Sequence, residues 1–373
     1  MTSATNWAPI PASTRGAVCN VWLLQAGTIS IPYDFCLLPA HETNNRSLTE
    51  DDSEIAARSF VAPIFVFLVE HVPTGDFYLY DLGMRPNIEE LSPFTRNKVL
   101  PFHECKPRSV SEILKKHAPR HFSTTQLRAI ILSHLHFDHI GDCGKEAFGN
   151  SELWIGPSGC KDARPGYPVE PESESLTDDF PKDGSRRIIE FEIPGSGIRT
   201  HDVDRSKLIN ELREAGHYEG IETRVPISGW HSLGSFDRAF DLFGDGSAYI
   251  GDSPGHAPGH VSLLLRVEAR GSDSSDDDDF ILLVGDSYHH ADLLKDPLLT
   301  SRQPWSRYTI HENPSLAMES MFRARSFACR DNIWVISAHD ATVAQPFNDG
   351  EAEVEGLVKL NEWRANGWKL CQL

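Results

Sequence analysis

Histidines and aspartates are concentrated in one short stretch of the chain, "ILSHLHFDHIGDC" at residues 131–143. The stretch begins with branched apolar residues typical of a buried strand and continues with the pattern H-x-H-x-D-H. In an extended segment His134 and His136 point to the same side, whereas a turn after them lets Asp138 and His139 face a neighbouring point. The spacing therefore predicts an imidazole pair for one metal ion and a carboxylate with an imidazole for a second.

Two ligands do not complete a metal site, so further ligands must come from other parts of the chain. Three more apolar runs end in such residues, namely "AYIGDSPGHAPGH", "ILLVGDSYHH" and "IWVISAHD". For any one of these runs alone, a structural role would be the simpler interpretation. Together with the first motif they predict strand ends that meet at one edge of a sheet. The residues at these three ends are His256, His260, Asp286 and His339.

The rest of the pattern predicts the elements that position these side chains. Short runs rich in Val, Ile, Leu and Phe predict strands, and apolar residues at helical spacing predict helices. Because both recur along the whole chain, the fold class is α/β or α+β, with sheets covered by helices. The predicted strands lie at 16–24, 62–71, 77–83, 128–134, 151–156, 247–252, 260–269, 280–286 and 332–339, and the predicted helices at 109–118, 204–216, 315–328 and 351–367.

The chain of 373 residues is long enough for a sizeable core. We predict a single domain over residues 1–373, with a long surface excursion around 156–246 that contains the acidic run "EPESES". The acidic segment "GSDSSDDDD" at 271–279 lies between two predicted strands. It lacks the alternating Asp spacing of a calcium loop, which favours a solvated hairpin tip.

The charge balance excludes several classes of partner. Lys and Arg number 35 against 54 Asp and Glu, a net charge of −19 that repels nucleic acid and anionic membrane surfaces. The first residues show no signal-peptide pattern, and no run approaches twenty apolar residues. We therefore expect a cytoplasmic protein with a small-molecule substrate and no nucleic acid or membrane partner; a homo-oligomer stays open. The seven scattered cysteines, none in a CxxC, indicate reduced thiols.

The order H-x-H-x-D-H, P-G-H-x-x-G-H, G-D and a late His resembles the metallo-β-lactamase fold, an αββα sandwich. "SPGHAPGHVSLL" is similar to the acyl-homoserine lactonases, and "LHFDHIGD", "YPVEPES" and "GDSYHHADLL" resemble a fungal group of lactone- or lactam-opening hydrolases. The ligand motifs span residues 130–340, and "LYDLG" at Leu79 extends the match towards the N-terminus.

The resemblance implies a complete set of ligands for two metal ions. Zinc suits these imidazole and carboxylate ligands, and manganese, iron or cobalt stay open. His260 and Asp81 are expected behind the ligands rather than among them. Gly255 and Gly259 would let the backbone turn sharply under the metals. The implied ligands are His134, His136 and His256 for one metal, Asp138, His139 and His339 for the other, and Asp286 as the bridge.

Two divalent ions about 3.5 to 4 Å apart share a hydroxide, because they lower the pKa of the bound water towards about 7. One metal then polarises a carbonyl while the hydroxide attacks it, which is ester or amide hydrolysis. Asp138 could also orient the hydroxide, and Asp138 or Asp286 could carry a proton to the leaving group. Together with the resemblance, these roles imply a dinuclear zinc hydrolase that opens a lactone or lactam ring, including a cyclic carbamate, in a small xenobiotic or signalling molecule.

The sequence departs from the resemblance in one place. The lactonases lead us to expect Tyr three positions after the bridging Asp, but this chain has His289 there and Tyr288 one position earlier. We predict that one of these two residues donates a hydrogen bond to the oxyanion. Phe137 and Tyr167 are predicted to wall an apolar pocket for a small neutral ring. Core packing is an equally good interpretation of Phe137.

Other functions of the same fold remain as alternatives. A nuclease is disfavoured by the charge, and a mononuclear iron dioxygenase by the complete second ligand set. A flavin-coupled diiron enzyme would need a flavodoxin-like extension, and a non-enzymatic metal-binding protein is the simplest alternative. The main alternative is a thioesterase or glyoxalase-II-like hydrolase, because the same hydroxide attacks thioesters and specificity lies in loops.

Overall fold

The computed structural model describes residues 7–38, 51–143, 147–182, 185–193, 223–226, 229–270, 277–348, 353–370 and 372–373. The helix predicted at 204–216 and most of the acidic segment 271–279 lie outside the described residues. All nine predicted strands are present, at bounds within a few residues of the prediction except that the first runs on to Pro32. Among the described residues no cysteine forms a disulfide, and no helix is long and apolar enough to cross a membrane.

The strands form two sheets. The first has the order β15-β1-β2-β3-β5-β6-β7-β8, with β4 paired to β1, and the second has the order β14-β13-β12-β11-β10-β9. Strands β3, β5, β6, β7 and β8 run parallel, as do β13 and β14. The strands are β1 Cys19–Pro32, β2 Ser59–His71, β3 Asp76–Tyr80, β4 Cys105–Pro107, β5 Leu127–Leu132, β6 Glu152–Ile155, β7 Ile188–Glu192, β8 Thr223–Pro226, β9 His231–Leu233, β10 Phe236–Asp241, β11 Ala248–Asp252, β12 Val261–Glu268, β13 Asp279–Leu283, β14 Ile333–Ile336 and β15 Leu357–Lys359.

The two sheets face each other across an apolar layer, and helices cover their outer faces. Alternation along each strand produces this arrangement, because successive side chains point to opposite faces. In β5, for example, Ala129 and Ile131 pack between the sheets, whereas Ile130 and Leu132 belong to the outer core. Both faces of these strands are buried, which is why they read as continuous apolar runs. The predicted αββα sandwich is thus confirmed.

Helices on the outer faces contribute apolar side chains to the outer core, and their ends follow ordinary capping rules. Ser109 and Asn313 accept a hydrogen bond from a backbone N–H in the first turn of the helices that follow them. The α-helices among the described residues are α1 Tyr33–Cys36, α2 Asp52–Ala57, α3 Val110–His117, α4 Phe137–Ile140, α5 Gly159–Ala163, α6 Ala291–Lys295 and α7 Pro314–Ala328. Shorter turns of 3₁₀ or π type lie at Thr14–Gly16, Ile88–Glu90, Thr95–Val99, Leu100–Phe102, Thr124–Gln126, Pro297–Leu299 and Ala341–Ala344.

The structure departs from the predicted helix at 351–367 and has strands within 156–246. The helix predicted at 351–367 is wrong: Leu357–Lys359 forms β15, and turns follow it. Leu357 and Val358 are half-buried where they pair with β1, and Val354, Leu360 and Trp363 pack between the sheets. Within 156–246, strands β7 and β8 extend the first sheet, and β9 and β10 belong to the second.

The parallel strands bring the predicted ligands to one edge. Because parallel strands end on the same side, the residues after β3, β5, β13 and β14 meet there. Two backbone hydrogen bonds between the sheets join this edge, from Val261 N–H to Ser133 O at 2.8 Å and from Phe65 N–H to Ala338 O at 3.0 Å. The separate strand ends identified in the sequence therefore form one site.

Gly255, which precedes a predicted ligand, is expected to tolerate no side chain. Its φ is +123°, and a Cβ would lie 2.2 Å from the backbone nitrogen of Ala317 in α7. Gly255→Ala should lower the free energy of unfolding by roughly 3 kcal/mol, the sum of backbone strain and overpacking. Chemical denaturation would measure it. Gly75, with φ +73° and open space around it, is the matched control, where alanine should cost only about 1 kcal/mol. Equal costs at both positions would contradict the steric argument.

Candidate metal centre

Three histidine nitrogens converge on one point. His134 Nε2, His136 Nδ1 and His256 Nε2 lie 3.0 to 3.1 Å from one another. Nitrogen ligands about 2.0 to 2.1 Å from a tetrahedral zinc ion are about 3.3 Å apart, so the three atoms have nearly the spacing of zinc ligands. His134 and His256 are buried and His136 is half-buried, which leaves the site open on the His136 side.

A second group of ligand atoms lies beside the first. His339 Nε2 is 3.4 Å from Asp138 Oδ2, and His139 Nε2 is 3.9 Å from the same oxygen. All three residues are buried, and their ligand atoms lie within 4.8 Å of one another. This group combines one carboxylate with two imidazoles, as the resemblance implied.

Asp286 lies between the two groups with one oxygen towards each. Its Oδ1 is 3.1 Å from His139 Nε2 and 3.3 Å from His339 Nε2. Its Oδ2 is 3.5 Å from His256 Nε2 and 3.8 Å from His134 Nε2. A carboxylate in this position can bind one cation through each oxygen, which is the geometry of a bridging ligand.

The polar atoms of this site fit a pair of cations. His139 Nε2 and Asp286 Oδ1 are buried, and neither makes a hydrogen bond of acceptable geometry within the described part of the chain. Buried polar groups that lack such a partner are costly and call for an explanation. A divalent ion coordinated by both atoms would supply the missing interaction, and the absence of cysteine from the ligand set agrees with zinc bound by nitrogen and oxygen.

Hydrogen bonds behind the ligands orient the imidazole rings. His139 Nδ1 lies 2.8 Å from Asp81 Oδ2, and His339 Nδ1 lies 2.8 Å from the carbonyl oxygen of Pro63. His134 Nδ1 lies 3.0 Å from the hydroxyl of Ser133. Because the two acceptors fix the hydrogen on Nδ1, Nε2 of His139 and of His339 presents its lone pair to the site.

His260 lies behind Asp286 and not among the ligands. Its Nε2 accepts a hydrogen bond from the backbone N–H of Asp286 at 3.1 Å, and its Nδ1 is 2.9 Å from the carbonyl oxygen of Ser253. Burial lowers the pKa of His260 to about 4, so the ring is neutral at pH 7. A neutral ring with its hydrogen on Nδ1 is what both contacts require.

The two ligand groups differ in their electrostatics. Burial and the neighbouring histidines hold the pKa of His134 and of His256 well below the ordinary value. Burial also disfavours a proton on His339, but Asp286 and Asp138 outweigh it and raise its pKa to about 10. His134 and His256 therefore offer neutral nitrogens. In the second group, the carboxylates that favour a proton on the imidazole also favour a divalent cation in its place.

The structure separates the two candidate oxyanion donors. His289 lies at the centre, with Nε2 2.9 Å from Asp286 Oδ2 and its ring stacked on His339 at a centroid distance of 5.3 Å. The side chain of Tyr288 packs in the outer core, and its hydroxyl donates to Asp340 Oδ2 at 3.2 Å. Tyr288 as oxyanion donor therefore disagrees with the structure, because its donor is already used away from the ligands.

The predicted pocket residues lie in different surroundings. The ring of Phe137 is 6% exposed and belongs to the outer core, which favours the packing interpretation. Tyr167 is half-buried in the loop after α5, where its backbone pairs with Ser175 and Thr177. Its role in substrate binding stays a prediction.

An aromatic group that sequence reasoning missed lies near the ligands. The rings of Phe35, Phe102 and Tyr308 have centroids 5.0 to 5.6 Å apart, and all three are half-buried. His103 is in edge contact with Phe35, and the backbone N–H of Ile310, next to His311, donates to Phe35 O at 2.9 Å. We call Phe35, Phe102 and Tyr308 the aromatic wall. Its members come from distant segments of the chain, so no local sequence motif predicts it.

His311 is a buried histidine that the motif analysis also missed. It lies in one group with His256 and His289, and their ligand atoms are within 4.8 Å of one another. His311 precedes α7 and follows no apolar strand run, so the pattern of strand ends could not find it.

Asp81→Asn tests the hydrogen bond behind His139. Asp81 has φ +63°, a conformation that asparagine tolerates, so the change removes the charge while preserving the backbone. Zinc affinity at the second site should fall by about 10- to 100-fold. Competition with a chromophoric chelator would measure it. Asp237→Asn, a change of an exposed carboxylate, is the control, and unchanged zinc affinity in both variants would refute a supporting role for Asp81.

No protein-family model matches the chain. Among curated proteins, the cytochrome P450 monooxygenase mpaDE of Penicillium roqueforti is 29% identical over 83% of this chain and 33% of that protein. The chain spans about a third of the length of this relative and of two similar ones from Penicillium brevicompactum. Gamma-lactamase FDB1 of Fusarium pseudograminearum is 27% identical over 85% of this chain and 77% of that protein. Gamma-lactamase MBL2 of Gibberella moniliformis is 30% identical over 57% of this chain and 70% of that protein.

Solved structures share the fold. An N-acyl homoserine lactone hydrolase, solved with the product N-hexanoyl-L-homoserine at its catalytic metal centre, superposes with a TM-score of 0.52. The match covers 88% of this chain and 96% of that chain at 17% identity, and at this identity it shows the fold alone. With the identity to gamma-lactamase MBL2, it establishes that the chain belongs to the metallo-β-lactamase-fold hydrolases.

Proposed function

We propose that the protein is a dinuclear zinc hydrolase that opens the lactone or lactam ring of a small neutral molecule. The observation that carries the proposal is Asp286, with one carboxylate oxygen towards each of two histidine-rich groups. When bound, two divalent ions lower the pKa of a shared water and polarise a carbonyl group. The first group, His134, His136 and His256, would hold one ion, and Asp138, His139 and His339 the other.

The side chains around this centre have distinct roles in the proposal. Asp138, whose Oδ2 lies 3.4 Å from His339 Nε2, would orient the attacking water and carry its proton to the leaving group. His289 Nε2 lies 2.9 Å from Asp286 Oδ2, and in the proposal this nitrogen donates a hydrogen bond to the carbonyl oxygen of a substrate bound beside the bridging carboxylate. The aromatic wall would contact apolar substituents of the ring, with Tyr167 as a further candidate contact and Phe137 as packing beneath the ligands.

The comparisons support a ring-opening hydrolase over a thioesterase. Two relatives are named gamma-lactamases, and a structure of the same fold is a lactone hydrolase. The net charge of −19 also disfavours anionic thioesters such as glutathione or coenzyme A conjugates. We further propose that residues 1–373 form one domain, since both sheets share the layer of apolar side chains between them.

A substrate panel tests the proposal. The zinc-loaded protein would be assayed with a γ-lactone, a γ-lactam and a cyclic carbamate, each carrying a neutral aromatic substituent, and with a glutathione thioester and a phosphodiester. We expect kcat/KM for at least one ring to exceed that for the thioester by about 100-fold or more, a differential transition-state binding of about 2.7 kcal/mol. A thioester hydrolysed faster than every ring would overturn the proposal in favour of the thioesterase.

A further inference from the structure

His311 lies directly against a predicted ligand of the first metal. Its Nδ1 is 3.2 Å from Nδ1 of His256, and its side chain is buried. Two backbone hydrogen bonds hold the pair in register, from Glu312 N–H to His256 O at 3.0 Å and from Asn313 N–H to Gly255 O at 2.9 Å. The contact between the two rings is therefore set by the backbone on both sides.

The other nitrogen of His256 determines which ring donates in this contact. Nε2 of His256 lies 3.0 Å from His136 Nδ1 and 3.1 Å from His134 Nε2, so it faces the point where the three ligand nitrogens converge. An imidazole that binds a metal through Nε2 carries its hydrogen on Nδ1. Nδ1 of His256 must therefore donate, and Nδ1 of His311 must accept.

This assignment also places the remaining hydrogen of His311. A neutral ring that accepts at Nδ1 carries its hydrogen on Nε2. That nitrogen is buried and has no hydrogen-bond partner within the described part of the chain.

We propose that His311 is a positioning residue, which accepts the Nδ1–H of His256 and thereby fixes the ring plane and tautomer of this ligand. The inference rests on the proposed function for the presence of a metal at the first group. His311 then does for His256 what Asp81 does for His139 and the Pro63 carbonyl does for His339. Acceptors in this position help to set the affinity of a site for its metal.

Substitutions at position 311 separate hydrogen bonding from packing. His311→Leu removes the acceptor but keeps much of the volume, whereas His311→Asn places an amide oxygen near the position of Nδ1. Zinc affinity would be measured by chelator competition, and the d–d absorption of the cobalt-substituted protein would report on the first site. His71→Leu removes another buried histidine, one that bonds Asp245 and Thr74, and serves as the control.

We expect His311→Leu to lower the affinity for one of the two zinc ions by about 10- to 100-fold and to alter the cobalt spectrum. The affinity for the other ion should not change. His311→Asn should remain within about threefold of the unmodified protein, and His71→Leu should bind both ions normally. Folded His311→Leu protein with two normal zinc affinities would overturn the inference. Equal losses in the Leu and Asn variants would also overturn it, because they would indicate packing alone.

The measurement does not depend on the substrate. If no ring in the panel is hydrolysed but His311→Leu lowers the affinity for one of the two zinc ions, the inference stands and the proposed reaction fails. If lactones or lactams are hydrolysed and the Leu variant binds zinc normally, the reaction stands and the inference fails.

Discussion

Asp286→Ala is expected to leave the protein with fewer than two bound metal ions and to lower its hydrolytic turnover by more than about 10³-fold. Losing a hydrogen-bond partner behind a ligand lowers metal affinity or activity by about 10- to 100-fold. The loss of a ligand shared by both ions should have a larger effect. The bridging carboxylate also offsets the repulsion between two dications, which neutral imidazoles cannot do. Burial disfavours charge on Asp286, but His139, His339 and His289 hold its pKa well below the ordinary value.

Elemental analysis of the purified variants would count the metals, and turnover would be measured on the best ring substrate. Asp292→Ala is the matched control, because Asp292 is half-exposed and lies six residues further along the same segment. It should keep two metal ions and normal turnover. One metal equivalent in the unmodified protein, unchanged in Asp286→Ala, would show that the centre is mononuclear.

His289→Ala is expected to lower turnover by about 10²- to 10³-fold while two metal ions remain bound, which is the usual effect of removing one oxyanion donor. The reason is the position of its Nε2, 2.9 Å from the bridging carboxylate. A donor beside the bridging carboxylate would bind the carbonyl oxygen of the substrate more strongly as that oxygen gains charge. Metal content and turnover would be measured side by side on the same preparation.

Tyr288→Phe is the matched comparison for His289→Ala. It removes the hydroxyl that donates to Asp340, so we expect a loss of about 1 kcal/mol in the free energy of unfolding and nearly normal turnover. If His289→Ala retained full turnover with two metals, the metal ions would be the only oxyanion stabilisers. Loss of metal from His289→Ala would instead identify His289 as a ligand or as a support for Asp286.

The sequence predicted the strands and nominated the residues that converge at the centre, and its resemblance to the metallo-β-lactamase fold implied the αββα sandwich. Each nominated ligand follows an apolar run, as His134 follows β5 and Asp286 follows β13. Because both faces of such strands are buried, their sequences are continuous apolar runs, and the end of each run marks the end of the strand. The strand pattern and the ligand spacing are local properties of the chain, which is why they could be predicted without a structure.

Only the tertiary structure distinguished His289 from Tyr288 and revealed His311 and the aromatic wall. Adjacent residues in a turn point in different directions, so the sequence could not tell which of 288 and 289 faces Asp286. His311 meets His256 across 55 positions of sequence. The apolar spacing at 351–367 likewise predicted a helix, but Leu357 and Val358 pair with Leu24 and Leu23 of β1. The contacts of Tyr288 with Asp340, of His311 with His256 and of β15 with β1 are long-range, and their free energy outweighs local preferences that a short window of sequence records.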